Sequence, residues 1–488
     1  MTRLLIRSGK DPFTPVAAET TLTQDVFNSN SGNYLFQHGV WKALARDGVE
    51  LVSNGTLSER RAPAPDDAAR INEEFDHFVV PMANAFRPEF IRHLEPLTEL
   101  VEGLTIPVTV VGIGAQAPHG SGPEALADVA APVRRFVAAV LERSASIGVR
   151  GAFTRDYLKG LGFGDDVVEV IGCPSLFQWG RDFRVDRRVD TIHDDSPLAL
   201  NLTPEVPGIG AFATAQAERH PNLHYVLQDG HDLRLLLWGV PFPHVDDPDV
   251  PVHMRHPLYQ QDRMRLYLDT WTWYRDLARY DFAYGTRFHG NVAALLAGTP
   301  AMLLAHDSRT LELAEYHRMP FESVPAFTED VRADELYART DLATFNDELP
   351  RGFDRYTAFL ERNGLDHVWQ EGATSEEFTR RIVTADLPPA VHPLTRADGT
   401  EVAARLQWLR GGMVLDMTRH PQRFEHPYPH PPYQGAGSRH ARLLEQASTR
   451  QQRTQDDVAR LRARVEQLET RTVRARFSRL LHRLGLRR

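Results

Sequence analysis

Residues 279–321 read RYDFAYGTRFHGNVAALLAGTPAMLLAHDSRTLELAEYHRMPF. The stretch divides into an apolar strand (DFAYG), a tight polar turn (TRF), a helix (GNVAALLAG), a second strand (AMLLAH) and a second helix (RTLELAEYHR). Short apolar runs alternating with helices predict parallel strands covered on both faces. In open α/β sheets ligands bind outside the carboxyl ends of the strands. Arg287 and His289 fall at such an end, where the following helix offers free N–H groups and a positive dipole. A guanidinium there grips phosphate or carboxylate as a fork. The dipole and Arg287 tend to depress the His289 pKa, and a bound anion raises it again, so a proton donor exists when substrate is present. Gly285 and Gly290 let backbone and ligand approach closely, and Thr286 and Asn291 complete the candidate binding turn. The plainer alternative is that Arg287 pairs with a structural carboxylate and His289 caps the helix.

The same alternation extends outward. Before residue 181, strand candidates LLI, VELV, FVVPMA, VTVVGIG, SIGVR and VVEVIG alternate with amphipathic stretches such as YLFQHGVWKALARDG, FIRHLEPLTELVEG and EALADVAAPVRRFVAAVLERSA. This predicts an N-terminal Rossmann-like lobe over 1–180. Residues 181–196 (RDFRVDRRVDTIHDDS) are charged and without a period, as in a linker. LALNL, HYVLQ, FAYG, AMLLAH and ESVPAF then build a second lobe over 197–385, with trailing helices after residue 330 that pack on this lobe or cross back to the first. DRMRLYLDTWTWYRDLARY reads as one of its helices. Arg150, last in the strand SIGVR and followed by the helix AFTRDYLKGLG, mirrors Arg287 as a second cationic clamp. Residues 386–437 are rich in Pro and Gly and read as loop. Residues 438–488 read as a basic helical tail: Val458, Leu461, Val465 and Leu468 form a short coiled-coil seam, and VRARFSRLLHRLGLRR a basic amphipathic helix suited to an anionic membrane surface or a partner protein.

Composition bounds the rest. The chain has 488 residues, 42% apolar and 25% charged, enough for two or three globular domains. Its net charge is −9, but residues 439–488 hold 14 Arg, no Lys and 5 Asp plus Glu, so an acidic body of about −18 carries a tail of about +9. That distribution argues against a nucleic-acid-binding enzyme. The single cysteine, Cys173, lies in the apolar run VVEVIGCPSLF and excludes an intrachain disulfide; it reads as a small buried hydrophobe. The N-terminal residues show no secretory signal, so the expected compartment is the cytoplasm, including the inner face of the membrane where the tail docks.

Several patterns are weaker. VVGIGAQA fits a dinucleotide fingerprint at Gly112, Gly114 and Ala117, but no helix and no ribose-binding acid follow. His420, His426 and His430 lack metal-ligand spacing, and no metal is expected. Trp271, Trp273 and Tyr274 read as packing rather than a sugar platform.

Taken with their flanks, GTRFHGNVAALLAGTPAMLLAHDSR and VRGAFTRDYLKGLG, followed by a strand and CPSLF, resemble the polysaccharide pyruvyl transferase family. The likeness runs over roughly residues 28–330. It implies an α/β fold of two facing Rossmann-like lobes, GT-B-like. It also implies transfer of a pyruvyl group from phosphoenolpyruvate to two hydroxyls of a sugar, forming a cyclic ketal. Phosphoenolpyruvate would be a co-substrate and no further cofactor is needed. The acceptor would be a sugar of a cell-surface polysaccharide or its precursor, with room for a lipid-linked form and for a homo-oligomer. The donor's phosphate and carboxylate call for two cations, Arg150 and Arg287. Its methylene must be protonated, a task for His289. The general base is open, with His231 and Asp232 as weak candidates. One departure stands out. The family's Gly-rich loop near the acceptor ends in an acid; here DVFNSNSGNYLFQHGVW offers Ser31, Gly32 and Asn33 at that helix start. Gly32 and Asn33 are the acceptor-side candidates. Two competing classes share the pattern: a nucleotide-sugar glycosyltransferase whose turn holds a diphosphate, and a non-catalytic polysaccharide-assembly protein that docks through its tail.

Overall fold

In the computed structural model the described residues are 1–56, 62–117, 121–324, 327–403 and 405–407, without the side chains of Ser308 and Arg309. The expected coiled coil over 458–468, the basic helical tail, His420, His426 and His430, and most of the 386–437 loop lie outside them. The first 397 residues form one compact unit, and a second begins at Asp398.

Among the described residues fourteen strands follow in order: β1 (Thr2–Ile6), β2 (Val49–Ser53), β3 (His77–Pro81), β4 (Asn84–Phe86), β5 (Val108–Val111), β6 (Gly114–Ala115), β7 (Ile147–Val149), β8 (Val168–Val170), β9 (Leu198–Asn201), β10 (Leu223–Leu227), β11 (Met264–Leu266), β12 (Phe282–Gly285), β13 (Ala301–Ala305) and β14 (Phe321–Ser323). The first lobe carries a parallel sheet ordered β2-β1-β3-β5. It continues through a bridge between Ile113 and Val149 to the parallel pair β7-β8. The second lobe carries six parallel strands ordered β11-β10-β9-β12-β13-β14. Renumbered within that lobe the order is 3-2-1-4-5-6, the doubly wound Rossmann order. Its direction reverses between β9 and β12, so a crevice opens where Asn201 and Gly285 end their strands. Strands β3, β5, β9, β12 and β13 are buried along their whole length, which explains why they read as continuous apolar runs, while β2 and β14 at the sheet edges are only partly covered.

Three features correct or sharpen the sequence reading. DRMRLYLDTWTWYRDLARY is not one helix. Met264 and Leu266 are buried with Arg265 less so between them, a period of two that makes an edge strand. Asp269 is extended (φ −148°, ψ 144°), and the helix Thr270–Leu277 starts after it. Secondly, 181–196 lacks strand and helix but is no free tether. Val185 and Ile192 are buried, Val185 exchanges two 2.9 Å bonds with the Asn346 amide, and Arg187 caps the carbonyls of Tyr337, Ala338 and Thr340. Thirdly, of the two placements open to the trailing helices, Leu342–Arg362 takes the return to the first lobe, while its Arg355 still bonds Tyr316 of the second at 3.1 Å. Its Phe359 packs beneath Gly148, Phe353 and Tyr356 meet Phe177, and Asn363 bonds Ser146 on either side. That helix ties the first lobe's outer strands to the chain's return. Among the described residues no helix is long and apolar enough to cross a membrane.

Phe359 is fully buried. Truncation to Ala should therefore cost about 3–5 kcal/mol of unfolding free energy in urea titrations; a loss below about 1 kcal/mol would show that the returning helix is not part of the first lobe's core.

Candidate active site

The turn after β12 is built from its own backbone upward. Gly285 has φ +142°, and a Cβ there would drive into the Asn201 carbonyl. Asn201 Oδ1 accepts the Arg287 N–H at 2.8 Å, and the Asn291 side chain donates to the carbonyls of Gly285 and Arg287, each at 3.0 Å. Thr286 Oγ1 bonds Thr203 Oγ1 at 3.0 Å. A Cβ on Gly290 would stand 2.6 Å from Gln228 Nε2. Gly285, Thr286, Gly290 and Asn291, expected as ligand-binding residues, therefore serve the turn itself: both glycines admit the protein's own Asn201 and Gln228, and both polar side chains are buried and bonded within the protein, Thr286 to the Thr203 hydroxyl and Asn291 to the backbone.

Arg287 is extended at the start of the helix Phe288–Leu296. Its Nε donates to the Leu202 carbonyl at 2.9 Å, and its Nη2 forms a 2.8 Å ion pair with Asp229 Oδ2. Nη1 makes no bond to the described residues. The two side chains are 20% and 14% exposed, so the pair sits at the mouth of the crevice rather than in the core. Burial alone would depress the guanidinium; the charges of Asp229 and Asp232 outweigh it and hold it protonated. Asp229 in turn caps the helix Gly230–Trp238, its Oδ1 accepting from the N–H groups of His231 (2.9 Å) and Asp232 (3.0 Å). Asp232 closes the capping box by accepting from Gln228 and Asp229 N–H. Burial first, and the Asp229 charge second, push the Asp232 carboxyl well above the usual range, against the pull of Arg287. Asp232 is thus a helix cap, and His231 lies against Phe242, ring centroids 4.7 Å apart. Neither is placed as a base on solvent-facing substrate.

His289, second in the helix Phe288–Leu296, faces the first lobe. A Cβ on Gly32 would come within 2.8 Å of His289 Cβ and Nδ1, so glycine at 32 lets the imidazole lie on the helix Gly32–Leu44. Phe36 meets the ring edge-on at 6.4 Å. Nε2 lies 3.6 Å from Cys173 Sγ. Burial raises the Cys173 thiol's pKa, against Ser175 and Arg150, so a protonated S–H faces the imidazole. Gly32 is therefore a floor for His289, and Asn33 turns away to bond the carbonyls of Phe27 (3.3 Å) and Asn28 (2.8 Å).

Arg150 is buried, bonded to Asn84 and laid against Gly114. The helix N-terminus beside it is taken by the protein itself: Glu312 from the second lobe accepts the Phe153 N–H at 2.6 Å. Arg150 reaches the His289 neighbourhood through its charge on Cys173. His317 lies behind, its Nε2 accepting the Cys173 N–H at 2.8 Å. Burial, with Arg355 and Arg150, lowers its pKa to about 3.

Sequence reasoning missed several groups. Asp229 is the counterion of Arg287. Lys10, in the loop after β1, pairs with Asp269 across the lobes. His38 lies beneath them, bonded to Thr270 at 3.1 Å, its pKa pushed well down by burial and then by Lys10. The stretch RSGKD directly after the first strand was the available signal, since β1 ends at a crevice of its own sheet. Trp273 and Tyr274 are buried, and Trp271 packs on Trp179, centroids 5.5 Å apart, as packing residues do. Among the described residues no group of three or more His, Cys, Asp or Glu could hold a metal ion.

Residues 30–308 match the model of the polysaccharide pyruvyl transferase family. No curated protein matches the chain. Among solved structures, the chain is similar to a putative UDP-N-acetylglucosamine 2-epimerase from Listeria monocytogenes (9% identity, 88% of this chain and 99% of that one, TM-score 0.37). It is also similar to UDP-GlcNAc 2-epimerase from Neisseria meningitidis bound to UDP-GlcNAc (10%, 78% and 100%, TM-score 0.33). A functionally uncharacterized protein from Klebsiella pneumoniae is a third (10%, 66% and 93%, TM-score 0.36). Likeness at these scores carries no argument about chemistry, and the fold rests on the strand orders above.

The His317 geometry has a pH consequence. The unfolded chain binds a proton near pH 6.5, the ordinary imidazole value, that the folded chain refuses until about pH 3. This contribution is complete above pH 6.5 and is lost as pH falls below it. Between pH 7 and 5 wild type should lose about 2 kcal/mol more than His317→Gln, whose amide oxygen can still accept the Cys173 N–H. Urea titrations at both pH values check this; equal pH slopes in the two proteins would contradict it.

Proposed function

Because the chain belongs to the polysaccharide pyruvyl transferase family, we propose that this crevice transfers the pyruvyl unit of phosphoenolpyruvate to two hydroxyls of a sugar, forming a cyclic ketal. The observation that carries the reading is the pair Arg287 and His289 on one strand-to-helix turn, at the reversal point of a Rossmann-order sheet. The cation faces solvent on one edge, and the imidazole faces the other lobe.

The chemistry follows from the donor. Phosphoenolpyruvate presents two anionic groups, and the free edge of Arg287 with the helix start can hold one of them. Arg150 is the second cation proposed for the donor. The enol carbon becomes electrophilic only once the methylene gains a proton, and His289 is the proton donor. The first sugar hydroxyl adds to C2. Phosphate then leaves, and the second hydroxyl closes the ring. Of the two hydroxyl protons, one replaces that given by His289 and one departs with phosphate. A site partly walled off by both lobes keeps water from capturing the cationic intermediate. The acceptor proposed is a sugar of a surface polysaccharide or its precursor, in a lipid-linked form where assembly is at the membrane.

Calorimetry with phosphoenolpyruvate tests the donor. Wild type should bind at millimolar concentration or below, Arg287→Ala should lose at least tenfold in affinity, and His289→Gln should bind yet leave the cellular glycans without a pyruvate ketal by mass spectrometry. Binding unaltered in Arg287→Ala, or ketal retained with His289→Gln, would discard the assignment.

A further inference from the structure

Arg287 is held on more sides than an anion clamp requires. Its N–H is fixed by Asn201, its Nε by Leu202, and its Nη2 by Asp229. The Asp229 carboxylate has no freedom to swing. One oxygen is committed to two N–H groups of the helix Gly230–Trp238, and its own N–H is held by Asp232. The same short turn receives the first lobe. Ser31 N–H donates to the Gln228 carbonyl at 2.7 Å, Gly230 N–H donates to the Ser29 carbonyl at 3.1 Å, and Asn30 bridges Asp229 in antiparallel fashion. That first-lobe loop leads directly into Gly32, the surface on which His289 rests.

We propose that Asp229 is a positioning residue for the donor clamp: its carboxylate fixes the guanidinium plane of Arg287 to the turn that also docks the 29–31 loop. The inference rests on Arg287 holding the donor. It makes a choice between two physical roles with opposite sign. A carboxylate that merely neutralises Arg287 competes with the donor, and removing its charge tightens every anion. A carboxylate that orients the fork supports a ligand whose two anionic groups lie at fixed separation, and removing it weakens that ligand. A small single anion can follow the guanidinium wherever it moves and is little affected.

The experiment is calorimetry of the full chain with phosphoenolpyruvate and, separately, inorganic phosphate, on wild type, Asp229→Asn, Asp229→Ser and Arg287→Ala. Both replacements at 229 keep a helix-capping oxygen. The expected result is phosphoenolpyruvate weakened at least tenfold in both 229 variants, with inorganic phosphate within threefold of wild type and the melting temperature preserved. Donor binding unchanged or tighter in the 229 variants, with Arg287→Ala still defective, overturns the positioning role and leaves the donor site standing. Equal weakening of both anions, or failure of both 229 variants to fold, also overturns it and assigns Asp229 to stability. Arg287→Ala binding like wild type removes the donor reading instead.

Discussion

The ion pair between Arg287 and Asp229 is the constraint around which the second lobe's crevice is arranged. A guanidinium that is four-fifths covered cannot stay uncompensated, because desolvating an unpaired charge costs several kcal/mol. The fold answers with a carboxylate at the end of β10, delivered by a helix cap that uses the carboxylate's other oxygen. Asn201 at the end of β9 and Asn291 in the following helix fasten the backbone on either side. The guanidinium is left with one unbonded edge. The site thus carries a cation of fixed orientation rather than a loose patch of positive charge.

The first lobe shows the same economy. Arg150 lies deeper and bonds Asn84, and the neighbouring helix start is filled by Glu312 from the other lobe. Each cationic turn has its own acid. Burial keeps the Glu312 carboxyl above the usual range, with Arg150 opposing. Between the two turns sit His289 and Cys173. The thiol, kept protonated by burial, stands 3.6 Å from Nε2 and gives the imidazole a weak partner inside the protein. Neither cysteine nor histidine is a bare group awaiting substrate. Their contact joins the end of β8 to the helix after β12, which places an ionisable side chain against the seam between lobes.

The sequence by itself determined the element order, the parallel character of both sheets and the turn that carries Arg287 and His289. These are written in spans of four to a dozen residues: apolar runs with no polar face, glycine where the backbone must turn, helix periodicity immediately after. One local exception was MRL before Asp269. There a three-residue edge strand preceded a true helix, and its period of two is too short to outweigh the longer helical pattern. The docking of 181–196 was equally hidden, and the sequence left open whether the trailing helices stay with the second lobe or return to the first, since neither partner is near in sequence.

Tertiary structure alone decided what the site residues touch. Asp229 stands 58 positions from Arg287, and Glu312 stands 159 from Phe153. Gly285 and Gly290 looked like openings for a ligand and proved to be room for Asn201 and Gln228. A residue type at a strand end announces that charge will gather there. The counterion that tunes the charge comes from another strand end of the same sheet, or from the facing lobe. Strand order sets which ends become neighbours, and no local pattern encodes that order.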